Sequence, residues 1–142
     1  MVDPLDLSVF DRSVRALSRA LELMNDESRV ALLGPDGPDV VISHVIKSFE
    51  LAYESGLKTM TRRLAADRPE LDLATLTYND RLRAAAESGL IADPAVWFGF
   101  RELRNRTVHT YNRDQALAVA AGASGFALAA GALLRELERR NG

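Results

Sequence analysis

Apolar residues at Phe10, Val14, Leu17, Leu21 and Met24 are spaced four, three, four and three, with Asp11, Arg12, Arg15, Arg19 and Glu22 between them. That is the period of an amphipathic helix with one face turned to a core. Leu33-Gly34-Pro35-Asp36-Gly37-Pro38 interrupts it, and Pro38 suits the first turn of a second helix. The next stripe, Ile42, Ile46, Phe49, Tyr53, Leu57, Met60 and Leu64, is widened by Val45 and Ala52. That breadth predicts a long helix at the centre of a bundle rather than one leaning on a single neighbour. Arg62, Arg63 and Arg68 are expected to close it, because cations are favoured at the negative end of the helix dipole.

The pattern fails around Pro69, where Leu71, Leu73 and Leu76 are expected to pack as a lid or connecting segment. Thr77 reads as an N-cap with Asp80 at the reciprocal capping-box position, starting a short helix to Ser88 that Gly89 ends. Asp93-Pro94 repeats the cap-then-proline signal and opens a helix presenting Val96, Trp97, Phe100 and Leu103 to a core. From Ala116 to Leu134, nineteen residues pass without a charge, long enough for a membrane span. Most are alanine, glycine or serine, and Gly122, Gly125 and Gly131 each weaken an isolated helix by roughly 1 kcal/mol relative to alanine. The expectation is therefore a buried helix whose small side chains admit a close neighbour; the same surface would suit a subunit contact. No strand pattern occurs. The sequence predicts an all-α fold, one domain over residues 1–142, built as an antiparallel bundle of four to five helices.

With 142 residues, 47% of them hydrophobic, the chain is long enough to bury its own core. The absence of cysteine excludes disulfides and thiol catalysis and leaves a metal only two histidines and scattered carboxylates, so neither metal nor cofactor is expected. Met1-Val2-Asp3-Pro4-Leu5-Asp6 has two acids and no apolar run, which reads as neither secretory signal nor transit peptide and fits a cytoplasmic protein. A net charge of −2 argues against a general coat for DNA, so any nucleic acid must be met by a local patch.

Such a patch lies between Arg101 and Asn112. It holds Arg101, Arg104, Arg106, Asn105, His109 and Tyr111, with Glu102 the only acid, and favours an anionic ligand. An arginine can hold a phosphate by two parallel hydrogen bonds and offset transition-state charge. A histidine can take the proton of a 2′-hydroxyl or return one to the leaving 5′-oxygen. Five positions are about 140° apart on an ideal helix, so Arg104 and His109 meet on one ligand only if the last turn loosens or a second subunit completes the site. Asn112, Arg113 and Asp114 supply turn chemistry just beyond. On spacing alone a plainer reading stands beside this one: Arg104 pairs with the helix carboxyl end and His109 caps it. His44, among apolar neighbours, reads as structural.

Arg104-Asn105, then His109 and Tyr111, resembles the arginine, four residues, histidine, any residue, tyrosine pattern of the HEPN superfamily. The likeness extends to the branch described as nucleotidyltransferase substrate-binding proteins or HepT-like toxins. Phe49-Glu50-Leu51-Ala52-Tyr53-Glu54 with Lys58 is similar to that branch's second-helix signature, and Glu87-Ser88-Gly89-Leu90-Ile91 to its turn. The resemblance implies a two-fold homodimer with motif helices facing across a cleft. It implies a metal-independent ribonuclease toxin paired with a minimal nucleotidyltransferase (MNT-type) antitoxin that silences it by transferring AMP to the motif tyrosine. Carried over, Arg104 and His109 become catalytic, Asn105 orients the site, Tyr111 accepts AMP, and Arg101 and Arg106 contact RNA. Where relatives commonly carry an aromatic residue before the lysine, this chain has Ser55-Gly56-Leu57-Lys58, which is expected to loosen that helix. Two other classes use the same residues: a non-catalytic nucleotide- or substrate-binding subunit of a nucleotidyltransferase, and a helical assembly subunit.

Overall fold

The computed structural model describes residues 4–142, so the first three residues of the amino-terminal segment read above lie outside the described residues. The described chain is all-helical: α1 (Ser8–Met24), α2 (Glu27–Ala31), α3 (Gly37–Asp67), α4 (Tyr78–Glu87), α5 (Pro94–Arg106) and α6 (Arg113–Arg140), with 3-10 turns at Leu73–Thr75 and Thr107–His109. The expectation of four to five helices falls short because of α2. This single turn is capped by Asp26, whose carboxylate accepts the Arg29 N–H at 3.2 Å, and it buries nothing. A helix without a buried face leaves no apolar stripe to read.

The long helix α3 is the axis of the bundle: α1 packs along it, and α6 packs against both. Val45, Phe49 and Ala52 on α3 meet Leu17 on α1 and Val119, Ala123 and Phe126 on α6, all fully buried. The Phe126 ring lies edge-on to Phe49 (5.2 Å), Tyr53 (5.9 Å), Trp97 (5.7 Å) and Phe100 (5.1 Å). Edge-to-face pairs favour this tilt, and here they join α3, α5 and α6 through one side chain.

The apolar helix α6 meets the length and composition of a membrane span. Its Val119, Ala123, Phe126, Ala130, Leu133 and Leu137 nevertheless recur every three to four residues and face the bundle core, while Leu128 and Leu117 face outward. Small residues do admit a neighbour, as read: a Cβ on Gly122 would stand 2.8 Å from a Leu103 methyl of α5. The expected loosening at Gly56 does not occur. The helix continues through it, and the missing side chain makes room for Phe10, whose ring a Cβ there would meet at 3.0 Å.

Most caps stand where the sequence places them. Thr77 Oγ1 accepts the Asp80 N–H, Asp93 accepts the Ala95 N–H, and Gly89 takes φ 79° after α4. The Asp80 carboxylate does not return the bond to Thr77; it accepts from Arg83 Nη1 at 2.8 Å. Three other readings are corrected. Val96 is exposed, and the core of α5 is held by Trp97 with Phe98, Phe100 and Leu103 beside it. His44 is exposed rather than packed. Arg63 is buried: it donates to Asp67 at 2.6 Å, and Asp67 also accepts from Arg140 of α6 at 2.7 Å. A buried guanidinium needs a full partner, which outweighs the weak pull of a helix end.

Candidate functional site

Beyond Arg106 the α5 helix tightens into the turn Thr107–His109, and Asn112 then caps α6 by accepting the N–H groups of Asp114 and Gln115. The chain therefore leaves the α-helical path between Arg104 and His109. Thr107 is the buried anchor of the change. Its hydroxyl donates to the Arg104 carbonyl at 2.8 Å and accepts from Arg104 Nη1 at 2.7 Å.

The Arg104 guanidinium is fixed on its other side from α3. Nη2 donates to Glu54 Oε1 at 2.8 Å and lies 3.9 Å from Glu50 Oε2. Glu50 and Glu54 sit one turn apart, so their carboxylates share a face of the helix. The plainer reading of Arg104 holds in part: Nη1 bonds Thr107, which closes its own helix, while Nη2 reaches across to α3. Two of its five N–H donors are engaged by Thr107 and Glu54; the other three have no hydrogen-bond partner among the described residues.

Arg101 lies 4.3 Å over the Tyr78 ring, a cation–π contact that aims it at α4. The Tyr78 hydroxyl makes a short hydrogen bond with that of Tyr53. Burial pushes both phenols above their ordinary range, most strongly Tyr53, while the Arg101 guanidinium acts on both in the opposite direction and that of Arg104 on Tyr53. Both cations thus lie close to this tyrosine pair.

Asn105, Arg106, His109 and Tyr111 are exposed and make no side-chain hydrogen bond among the described residues. Tyr111 is 90% exposed, on the rim of a small groove of about 230 Å³ lined also by Asp39, Ile42, Ser43, Thr110, Arg113 and Ala116. The structure therefore joins Arg104 to α3 and Arg101 to α4, and leaves the imidazole, Asn105 and Arg106 open to solvent. Sequence reasoning missed Glu50, Glu54, Thr107 and Tyr78. The signals for the acids are their i, i+4 spacing beside the apolar stripe and their place in the Phe49–Glu54 segment of the family resemblance, neither of which points to Arg104. Among the described residues no three His, Asp or Glu side chains converge as metal ligands.

Residues 5–139 match the family described as nucleotidyltransferase substrate binding protein like. The chain is 34% identical over 142 residues to the probable ribonuclease HepT of Haemophilus influenzae, covering 99% of this chain and 97% of that one. A solved Haemophilus influenzae structure, described as the fold of a substrate binding domain of a nucleotidyltransferase, superposes with a TM-score of 0.87 at 32% identity, over 94% of this chain and 99% of that chain.

Proposed function

This chain belongs to the nucleotidyltransferase substrate binding protein-like family, in its HepT-like HEPN branch, and on that premise we propose that it is a metal-independent endoribonuclease toxin. Its partner is a minimal nucleotidyltransferase antitoxin that silences it by transferring AMP to Tyr111. The observation that carries the reading is the Arg104 guanidinium, held by Thr107 and Glu54 with donors to spare, in a motif that continues to an exposed, unbonded His109.

In this reading Arg104 binds the scissile phosphate and offsets the charge that builds on its oxygens. His109 removes the proton of the 2′-hydroxyl, the 2′-oxygen bonds to phosphorus, and the bond from phosphorus to the 5′-oxygen breaks. The leaving oxygen takes a proton, and the products are a 2′,3′-cyclic phosphate and a 5′-hydroxyl end. A two-fold dimer supplies a second His109 as the proton donor. Asn105 orients the phosphate, and Arg101 and Arg106 hold the strand. AMP on Tyr111 places a fixed negative charge two residues from His109, where it repels the RNA phosphate.

The test is cleavage of total RNA in EDTA by the wild type, Arg104→Ala and His109→Ala, with the intact mass establishing that Tyr111 is unmodified. Cleavage by the wild type alone supports the ribonuclease. The description of the solved relative as a substrate binding domain favours a second reading, a non-catalytic subunit that presents a substrate to its nucleotidyltransferase. Nucleotide binding without RNA loss from unmodified protein would establish that one instead.

A further inference from the structure

Away from the motif turn, α3 and α4 enclose a groove of about 340 Å³ lined by Leu57, Met60, Leu64, Tyr78 and Leu82, with Lys58, Arg62 and Arg81 around it. No acid lines it. None of the three cations has a salt bridge among the described residues, whereas half of the sixteen arginines do. Arg81 is held in place by the bond from Nε to the Leu73 carbonyl at 3.0 Å, which leaves its terminal nitrogens free. Asp6, whose carboxylate feels Arg62, lies outside the lining and already accepts the N–H and O–H of Ser8.

The groove is continuous with the site already described. Tyr78 forms its wall, and the same ring carries Arg101 at 4.3 Å. From Arg101 and Tyr78 to Arg81, Arg62 and Lys58, the surface offers cations beside one half-buried aromatic ring, and the acids Glu50 and Glu54 stand on the Arg104 side. An apolar floor with a cationic rim suits a ligand that is flat and apolar at one end and multiply anionic at the other.

We propose that this groove is a nucleotide subsite, in which a base lies on Leu57, Met60 and Tyr78 while its phosphates meet Lys58, Arg62 and Arg81. The same chemistry comes from two sources, a nucleotide of an RNA strand flanking the scissile bond or a free nucleoside phosphate. The strand source rests on the ribonuclease reading; the subsite itself does not.

The experiment measures binding rather than turnover. Full-length His109→Ala protein is titrated with a fluorescent hexaribonucleotide, with AMP, and with inorganic polyphosphate across a salt series, and the variants Arg62→Gln and Leu57→Gln are added in that background. Leu57 is only partly buried and Arg62 is exposed, so both variants keep the core; thermal denaturation verifies it. The expected result is a several-fold loss of hexanucleotide affinity in each variant, with Arg62→Gln lowering the salt slope by roughly 0.7. Leu57→Gln leaves polyphosphate binding unchanged, because only a base uses the floor. Matching losses for AMP identify a free nucleotide as the occupant, and losses for the hexanucleotide alone identify the strand. Unchanged hexanucleotide and AMP affinity in both variants overturns the subsite, as does a loss in Arg62→Gln that is equal for RNA and polyphosphate while Leu57→Gln has no effect. Wild-type protein that binds through the groove yet fails to cleave RNA would remove the ribonuclease reading and leave the subsite standing.

Discussion

Arg104 and Glu54, fifty positions apart in sequence, meet at 2.8 Å across the α3–α5 interface. The contact fixes the direction of the guanidinium and also puts a carboxylate beside the proposed phosphate site. The two effects separate by mutation. In Glu54→Gln the amide oxygen still accepts the Nη2 hydrogen, so kcat stays within about threefold. The lost charge lowers KM for RNA by about threefold, a modest effect because Glu54 is more than half exposed. In Glu54→Ala the guanidinium keeps its bond to Thr107 and the longer contact with Glu50, and kcat falls by roughly tenfold to a hundredfold. Steady-state cleavage of one defined oligonucleotide checks both. Equal behaviour of the two variants would show that Glu54 does not position Arg104.

That contact also marks where sequence reading stops. Periodicity captures α1 and α3 because Phe10–Met24 and Ile42–Leu64 bury one face each, and Thr77, Asp93 and Asn112 are caps whose partners lie two or three residues away. The arginine-histidine-tyrosine motif is legible for the same reason: its spacing is local. The helix that orients Arg104 is not local, and nothing in Glu50 or Glu54 taken alone distinguishes a clamp from a solvated acid. Arg63 shows the converse error, since a cation near a helix end looks solvent-facing until Arg140, 77 positions later, supplies the other side of Asp67.

Tyr53 and Tyr78 offer a way to disturb the cation pair without touching it. Tyr53→Phe removes the hydroxyl bonded to Tyr78 and leaves a half-buried phenol with one partner fewer, at a cost of about 1 kcal/mol. Arg101 keeps the ring of Tyr78, and RNA affinity is expected to stay within about twofold. Chemical denaturation together with oligonucleotide titration measures the two effects; a tenfold affinity loss would place Tyr53 itself in the binding surface.

Two glycines of α6 are expected to respond oppositely to the same substitution. A Cβ on Gly125 meets nothing within 4 Å, so Gly125→Ala gains helix propensity and stabilises by about 0.5–1 kcal/mol. At Gly122 the new methyl stands 2.8 and 2.9 Å from the two Leu103 methyl groups, which must rotate away. Gly122→Ala then gains little or loses stability, and because Leu103 adjoins Arg104 it also lowers RNA cleavage by a few-fold. Melting temperatures of the two variants, with cleavage rates at 25 °C, separate propensity from packing. Equal stabilisation would show that α5 and α6 have room to spare at this crossing.

Acid should expose the network that closes the far end of the bundle. Asp67 is held below its ordinary range first by its bonds from Arg63 and then by Arg140, and Glu136 is held at about 2 by Arg139 and Arg140. For a carboxylate depressed in the folded state, stabilisation is complete above its unfolded pKa, near 4, and is lost as pH falls through the folded value. Melting temperature is therefore expected to be level from pH 7 to 5 and to drop between about pH 4.5 and 2. Asp67→Asn leaves Arg63 buried without its charge partner, which costs about 3 kcal/mol at neutral pH, a fall in melting temperature of roughly 10 °C. The same variant has a shallower decline in acid, because one of the two depressed carboxylates of this network is gone; Glu136 stays, as do the exposed Asp6 and Asp26, which are also held low. Calorimetry from pH 7 to 2.5 on both proteins measures it. An acid slope unchanged by Asp67→Asn would mean that the Arg63–Asp67–Arg140 bridge contributes nothing to holding α3 against α6, in spite of its burial.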